Sequence, residues 1–99
     1  MHTNQFADFL RQDMRLVILR LLAEMPGYRS NSSILTTALE RYGHTVSRDQ
    51  VRTELAWLRD QGLIALEDLS AVLVVTLNER GADVAAGRAI VPGIKRPGA

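Results

Sequence analysis

Reactive side chains are few in this chain, and their spacing points away from catalysis. Ser47-Arg48-Asp49 sets a hydroxyl, a guanidinium and a carboxylate side by side, but a nucleophilic serine needs a base, and neither His2 nor His44 has a spacing that marks it as the partner. The same two histidines lack the paired spacing of a metal site. With no cysteine the chain has no thiolate ligand, disulfide or thiol nucleophile. Gly81 and Gly87 do not belong to a strand-to-helix phosphate loop, and no Walker pattern occurs. The expectation is a protein that is not an enzyme, with no catalytic residue, no metal and no cofactor. What remains is contact chemistry. Arg48 and Arg52 are four apart, which on a helix leaves them about 40° from each other, so both guanidinium groups share one edge.

The elements that must position them follow from periodicity. The first 25 residues contain no glycine or proline and place Phe6, Phe9, Leu10, Met14, Val17, Ile18, Leu21 and Leu22 at spacings of three and four, the pattern of a helix with a wide apolar face. Asp13 could cap a second helix starting at Met14, so the stretch reads as one helix or two. Pro26-Gly27 stops it, and residues 29–33 read as a polar connection. A second helix is expected over residues 32–42, burying Ile34 or Leu35, Ala38 and Leu39, with Gly43 ending it. A third runs from Ser47, its N-cap, to about residue 60, with Val51, Leu55 and Leu58 on one face.

Beyond Gly62 the period changes. Leu63-Ile64-Ala65-Leu66 and Val72-Leu73-Val74-Val75-Thr76 are short, branched and apolar, and read as an antiparallel hairpin. A last helix follows from about residue 77, capped by Thr76 or Asn78, with Gly81 weakening it. Residues 1–86 are expected to form one domain with an N-terminal helical extension, and residues 87–99 a flexible basic tail.

Composition bounds the partners. Ninety-nine residues allow one small domain, and a hydrophobic fraction of 46% is too high for a disordered chain. Twelve Lys and Arg against eleven Asp and Glu give a formal net charge of +1, so binding to nucleic acid would require the cations to collect on one face. No apolar run approaches the roughly 20 residues of a membrane span, and the opening residues lack the pattern of a signal peptide. No membrane partner and a cytoplasmic location in a bacterial host cell are expected.

The fold class expected is mainly α with a small β-hairpin, in winged helix-turn-helix order. Leu16-Val17-Ile18-Leu19-Arg20-Leu21-Leu22, the run from Ser47 to Leu58, Gln61-Gly62-Leu63-Ile64 and Val75-Thr76-Leu77-Asn78-Glu79-Arg80-Gly81 resemble the small winged-helix regulators of the ArsR, MarR and PadR type. The whole chain resembles a family of small proteins of Mu-like phages and prophages, whose ending is similar to Ala85-Ala86-Gly87-Arg88 followed by Val91-Pro92-Gly93-Ile94-Lys95-Arg96-Pro97. The regulator resemblance implies a homodimer on double-stranded DNA, with the third helix in the major groove and a role in transcription regulation. By position it makes Arg48, Gln50, Arg52 and Thr53 the reading and clamping residues, with Ser47 both cap and phosphate contact.

Two departures weigh against that implication. The wing tip, Glu67-Asp68-Leu69-Ser70, carries two acids and no cation, and Asp49 and Asp60 project from the reading helix. Either the wing stays away from DNA or the fold serves another partner. The alternative is a winged-helix protein-interaction or phage-assembly module with a phage or host protein partner. Phe6, Phe9 and Leu10 lie beyond what a three-helix core needs and are expected to bury against a second copy. His44 reads as an ordinary turn residue, Trp57 as packing material, and Tyr28 and Tyr42 as packed beside helix ends.

Overall fold

The computed structural model describes residues 4–98. Its elements are α1 (Gln5–Glu24), a single 3-10 turn (Pro26–Tyr28), β1 (Arg29–Asn31), α2 (Ser32–Arg41), α3 (Arg48–Asp60), β2 (Ile64–Asp68), β3 (Leu73–Leu77) and α4 (Glu79–Ala85).

With no helix breaker before Pro26, α1 runs unbroken for 20 residues from its cap Asn4, whose side-chain oxygen accepts from the Ala7 amide at 3.0 Å. Asp13 therefore lies inside one helix and caps nothing. The second half of α1 buries Ile18, Leu19 and Leu22, whereas its first turns leave Phe6 68% and Phe9 51% exposed.

Residues 29–31 are a strand, not the expected connection. β1 pairs antiparallel with β3 through Arg29↔Thr76, Ser30↔Val75 and Asn31↔Val74, giving a three-stranded sheet of order β1-β3-β2. The strand covers what would otherwise be a free edge of β3. It also delivers Asn31 to the start of α2, where its side chain accepts from the Ile34 amide at 2.8 Å. The buried Ser32 hydroxyl accepts from the Leu73 amide at 3.0 Å, joining α2 to the wing. Of the two candidates for the core, α2 turns Leu35 inward and leaves Ile34 exposed.

The Ser47 hydroxyl caps α3 by accepting from the Gln50 amide at 3.1 Å, and Val51, Leu55 and Leu58 are fully buried as expected. The hairpin pairs Ile64↔Leu77, Leu66↔Val75 and Asp68↔Leu73, which aims Leu73, Val75 and Leu77 into the core. Asn78, rather than Thr76, caps α4. Gly81 is required there: a β-carbon would lie 2.2 Å from the Leu63 carbonyl oxygen and 2.6 Å from Leu77 Cδ1. Its absence lets α4 approach the sheet closely enough to offset the weaker helix propensity.

The expectation of a flexible tail is corrected. Val91 and Ile94 are buried in the core cluster, and the Lys95 amide donates to the Gln12 carbonyl of α1 at 3.2 Å. Two isolated apolar side chains around Pro92-Gly93 carry no periodic signal, yet they anchor the segment.

Leu55→Ala is expected to destabilise the domain by about 2–5 kcal/mol in reversible denaturant unfolding, because a fully buried leucine leaves a cavity that this small core cannot close. A change below about 1 kcal/mol would contradict the burial.

Candidate nucleic-acid interface

Burial of Val51, Leu55 and Leu58 fixes the rotation of α3, so the solvent side of the helix is determined by packing. Arg48, Gln50 and Thr53 lie exposed there, and Arg52 is half-buried. These residues do not form one cluster. At about 100° per residue, Arg48 and Arg52 occupy the edge toward the wing, Gln50 lies about 160° from Arg48 on the opposite edge, and Thr53 falls between them. Gln50 borders a groove of about 250 Å³ that it shares with Leu10 and Arg11 of α1 and with His44. The Thr53 hydroxyl donates to the Asp49 carbonyl at 3.0 Å, which uses its one proton and leaves the oxygen able to accept.

Arg52 reaches the wing. Its guanidinium donates to the Ser70 carbonyl at 3.3 Å and the Ala71 carbonyl at 3.5 Å, linking α3 to the hairpin tip. The two wing acids have local structural partners. Asp68 accepts from the Ser70 amide at 2.8 Å, closing a turn in which Ser70 takes a positive φ of 70°. Glu67 lies 3.5 Å from the Arg29 guanidinium across the sheet, an exposed pair that solvent screens. Leu69, between Asp68 and Ser70, is 52% exposed.

Residues not singled out by spacing hold α3 from behind. Glu54, 3% exposed, accepts from Arg15 Nε of α1 at 2.7 Å, and the same guanidinium lies 3.9 Å from the centre of the Trp57 ring. Trp57 is thus the packing residue expected. His44 is not an ordinary turn residue: it is 5% exposed, and its Nε2 lies 2.7 Å from Asp13, whose other oxygen lies 3.4 Å from Lys95 Nζ. Partial burial works to raise the Asp13 carboxyl, but hydrogen bonds from His44 and Lys95, together with their charges, outweigh it and hold the group below its ordinary value. Tyr28 and Tyr42, expected to be packed, are largely exposed.

Among the described residues no cluster of three or more His, Asp or Glu could hold a metal ion, and no helix is long and apolar enough to cross a membrane. His2 lies outside the described residues. His44 bonds to a carboxylate rather than to a serine or threonine hydroxyl.

Three helices, with the third capped at an exposed end, a two-stranded wing and a closing helix define a winged helix-turn-helix protein. The chain is similar to an apo double mutant of Lactococcus lactis ZitR, with a TM-score of 0.61 and 28% identity, over 85% of this chain and 59% of that one. It is 52% identical over 90 residues to the uncharacterized protein gp26 of Escherichia phage Mu, covering 91% of this chain and 93% of that protein. It is also 46% identical over 76 residues to an uncharacterized protein of Haemophilus influenzae, covering 76% of this chain and 74% of that one. The chain belongs to the family of the phage Mu protein gp26. No protein-family model matches it.

The pH dependence of folding follows from Asp13. A carboxyl lowered in the folded state contributes stability that is present above its unfolded value, near about 3.9, and is lost as pH falls through the folded value. Asp13→Asn is therefore expected to be less stable than the parent at pH 6, with the difference shrinking through the acid range and vanishing once both carboxyl forms are protonated. Denaturant midpoints measured between pH 2 and 7 check this; a difference independent of pH would contradict it.

Proposed function

We propose that the protein is a sequence-specific DNA-binding transcriptional regulator that acts as a homodimer and places the amino-terminal end of α3 in the major groove of double-stranded DNA. The observation that carries this reading is the exposure of Arg48, Gln50 and Thr53 on a helix whose other face is locked into the core through Val51, Leu55 and Leu58. Arginine donates two hydrogen bonds to guanine, glutamine pairs with adenine, and the threonine methyl meets that of thymine. Ser47, at the cap, adds a hydroxyl at a helix end whose dipole favours phosphate. Arg52 both holds the wing and stands beside Arg48, clamping the hairpin against the reading helix.

The alternative is a protein-interaction or phage-assembly module. The exposed Leu69 between acidic and polar neighbours at the wing tip favours it, since such a tip suits a protein surface better than a phosphate backbone.

Selection from fragments of the phage and host genomes distinguishes the two. A regulator retains many fragments at low salt and a preferred subset as salt rises; an interaction module selects none and recovers a defined protein partner instead. With the selected fragment, folded Arg48→Ala is expected to lose about 1–3 kcal/mol of binding free energy through a base contact, or to lower the salt slope by about one through a phosphate contact. Parental affinity and slope in the folded variant would remove Arg48 from the interface.

The homodimer is supported by Phe6 and Phe9, 68% and 51% exposed although the core beneath α1 is already filled, with only Lys95 Nζ, 5.5 Å from the ring centre, over Phe9. Light scattering across concentration is expected to show a dimer that Phe6→Ala/Phe9→Ala converts to a folded monomer. A parent that stays monomeric at high micromolar concentration would exclude this surface as the dimer contact.

A further inference from the structure

We infer that Arg15 is a positioning residue for the reading helix and that residues 91–95 are the strap that locks it in place; the inference rests on the DNA-reading role proposed for α3. α3 packs chiefly on α2 and β2, so its placement relative to α1 depends on side chains that bridge the two. Arg15 makes three directed contacts to two segments. Nε donates to Glu54 at 2.7 Å, the guanidinium plane covers Trp57 at 3.9 Å, and an Nη donates to the Gly93 carbonyl at 2.9 Å.

Glu54 and Trp57 lie on the flank of α3 that carries Gln50, so a shift at Arg15 rotates the edge offered to a duplex. Asp13, one residue pair earlier on α1, holds His44 in the approach to the Ser47 cap. The two contacts thus grip α3 before its first turn and at its middle. The strap closes over both. Lys95 Nζ lies 3.4 Å from Asp13, and the strap approaches the indole at residue 93, where there is no side chain. At its φ of +97°, a β-carbon on Gly93 would stand 2.8 Å from Trp57 Cζ2 and 3.2 Å from the Arg15 guanidinium. Hydrogen bonds and a buried ion pair fix direction as well as distance, which a base-reading helix needs and apolar packing alone does not supply.

The protein's only tryptophan reports on the strap directly. Gly93→Ala is expected to shift Trp57 emission to the red and raise its quenching by acrylamide, with far-UV circular dichroism unchanged. It should also weaken binding of the parent's selected fragment by roughly tenfold with the salt slope unchanged, because the strap touches no phosphate. Since Arg15→Ala would strand the buried Glu54 carboxylate and could fail to fold, the companion variant is R15M/E54M, which exchanges the pair for apolar side chains. It is expected to stay folded and lose affinity to the same degree. Folded variants that bind within about twofold of the parent would overturn the positioning role. Should the parent select no DNA, the reading of α3 fails separately, and amide exchange decides the strap. Faster exchange in α3 and residues 91–95 of Gly93→Ala, with α4 unchanged, supports it; unchanged exchange in α3 overturns it.

Discussion

A carboxylate on the buried flank of a helix is costly unless it is paired and hydrogen-bonded, and Glu54 meets Arg15 across the gap between α3 and α1. The pair is expensive to desolvate, so its partners are constrained tightly. The guanidinium satisfies Glu54, then spends a further donor on the Gly93 carbonyl and its face on Trp57. Once those contacts are made, α1 cannot slide along α3, and the chain beyond α4 has a defined path across both. The core leucines supply most of the apolar burial, and the Arg15–Glu54 pair adds a directional contact between helices that apolar packing alone does not make.

The wing obeys a comparable logic with weaker forces. Its acids are engaged locally: Asp68 closes the tip turn and Glu67 faces Arg29 across the sheet. Arg52 then links the tip carbonyls to α3, across a hairpin of only five residues on each side. A hairpin this short is marginal alone. β1 supplies the missing neighbour on the other edge of β3.

Much of this was legible from residue order. The helical period through Val51, Leu55 and Leu58, the change to branched alternation after Gly62 and the Ser47 cap are local patterns, and the structure follows them. The candidate reading residues were legible only as exposed positions on α3. That Arg52 is engaged by the wing depends on a partner 18 residues away. The Arg15–Glu54 and Asp13–His44 contacts join residues 39 and 31 apart, and no periodicity records such pairings. β1 escaped notice because three polar residues cannot display alternation, and its strand character comes from β3 rather than from its own side chains. Gly81 read as a weakness in a helix; its meaning lay in the Leu63 carbonyl that presses against it.

The near-neutral net charge is largely repeated at the local level after folding. Asp8, Asp13, Glu54, Asp60, Glu67 and Asp83 each lie within ion-pair distance of a cation. These pairs cancel charge along α1, across the sheet and beside α4. Among the described residues Arg41, which ends α2, and Arg48, which begins α3, make no such pair, but neither does Glu40 beside Arg41, so the net positive character at the start of α3 comes from Arg48 and the first amides of the helix. Asp49 opposes them from within the same turn. Attraction for a polyanion at this end of α3 is therefore modest and short-ranged, and a stable complex would have to draw on base-edge contacts and on a second copy of the domain more than on bulk charge.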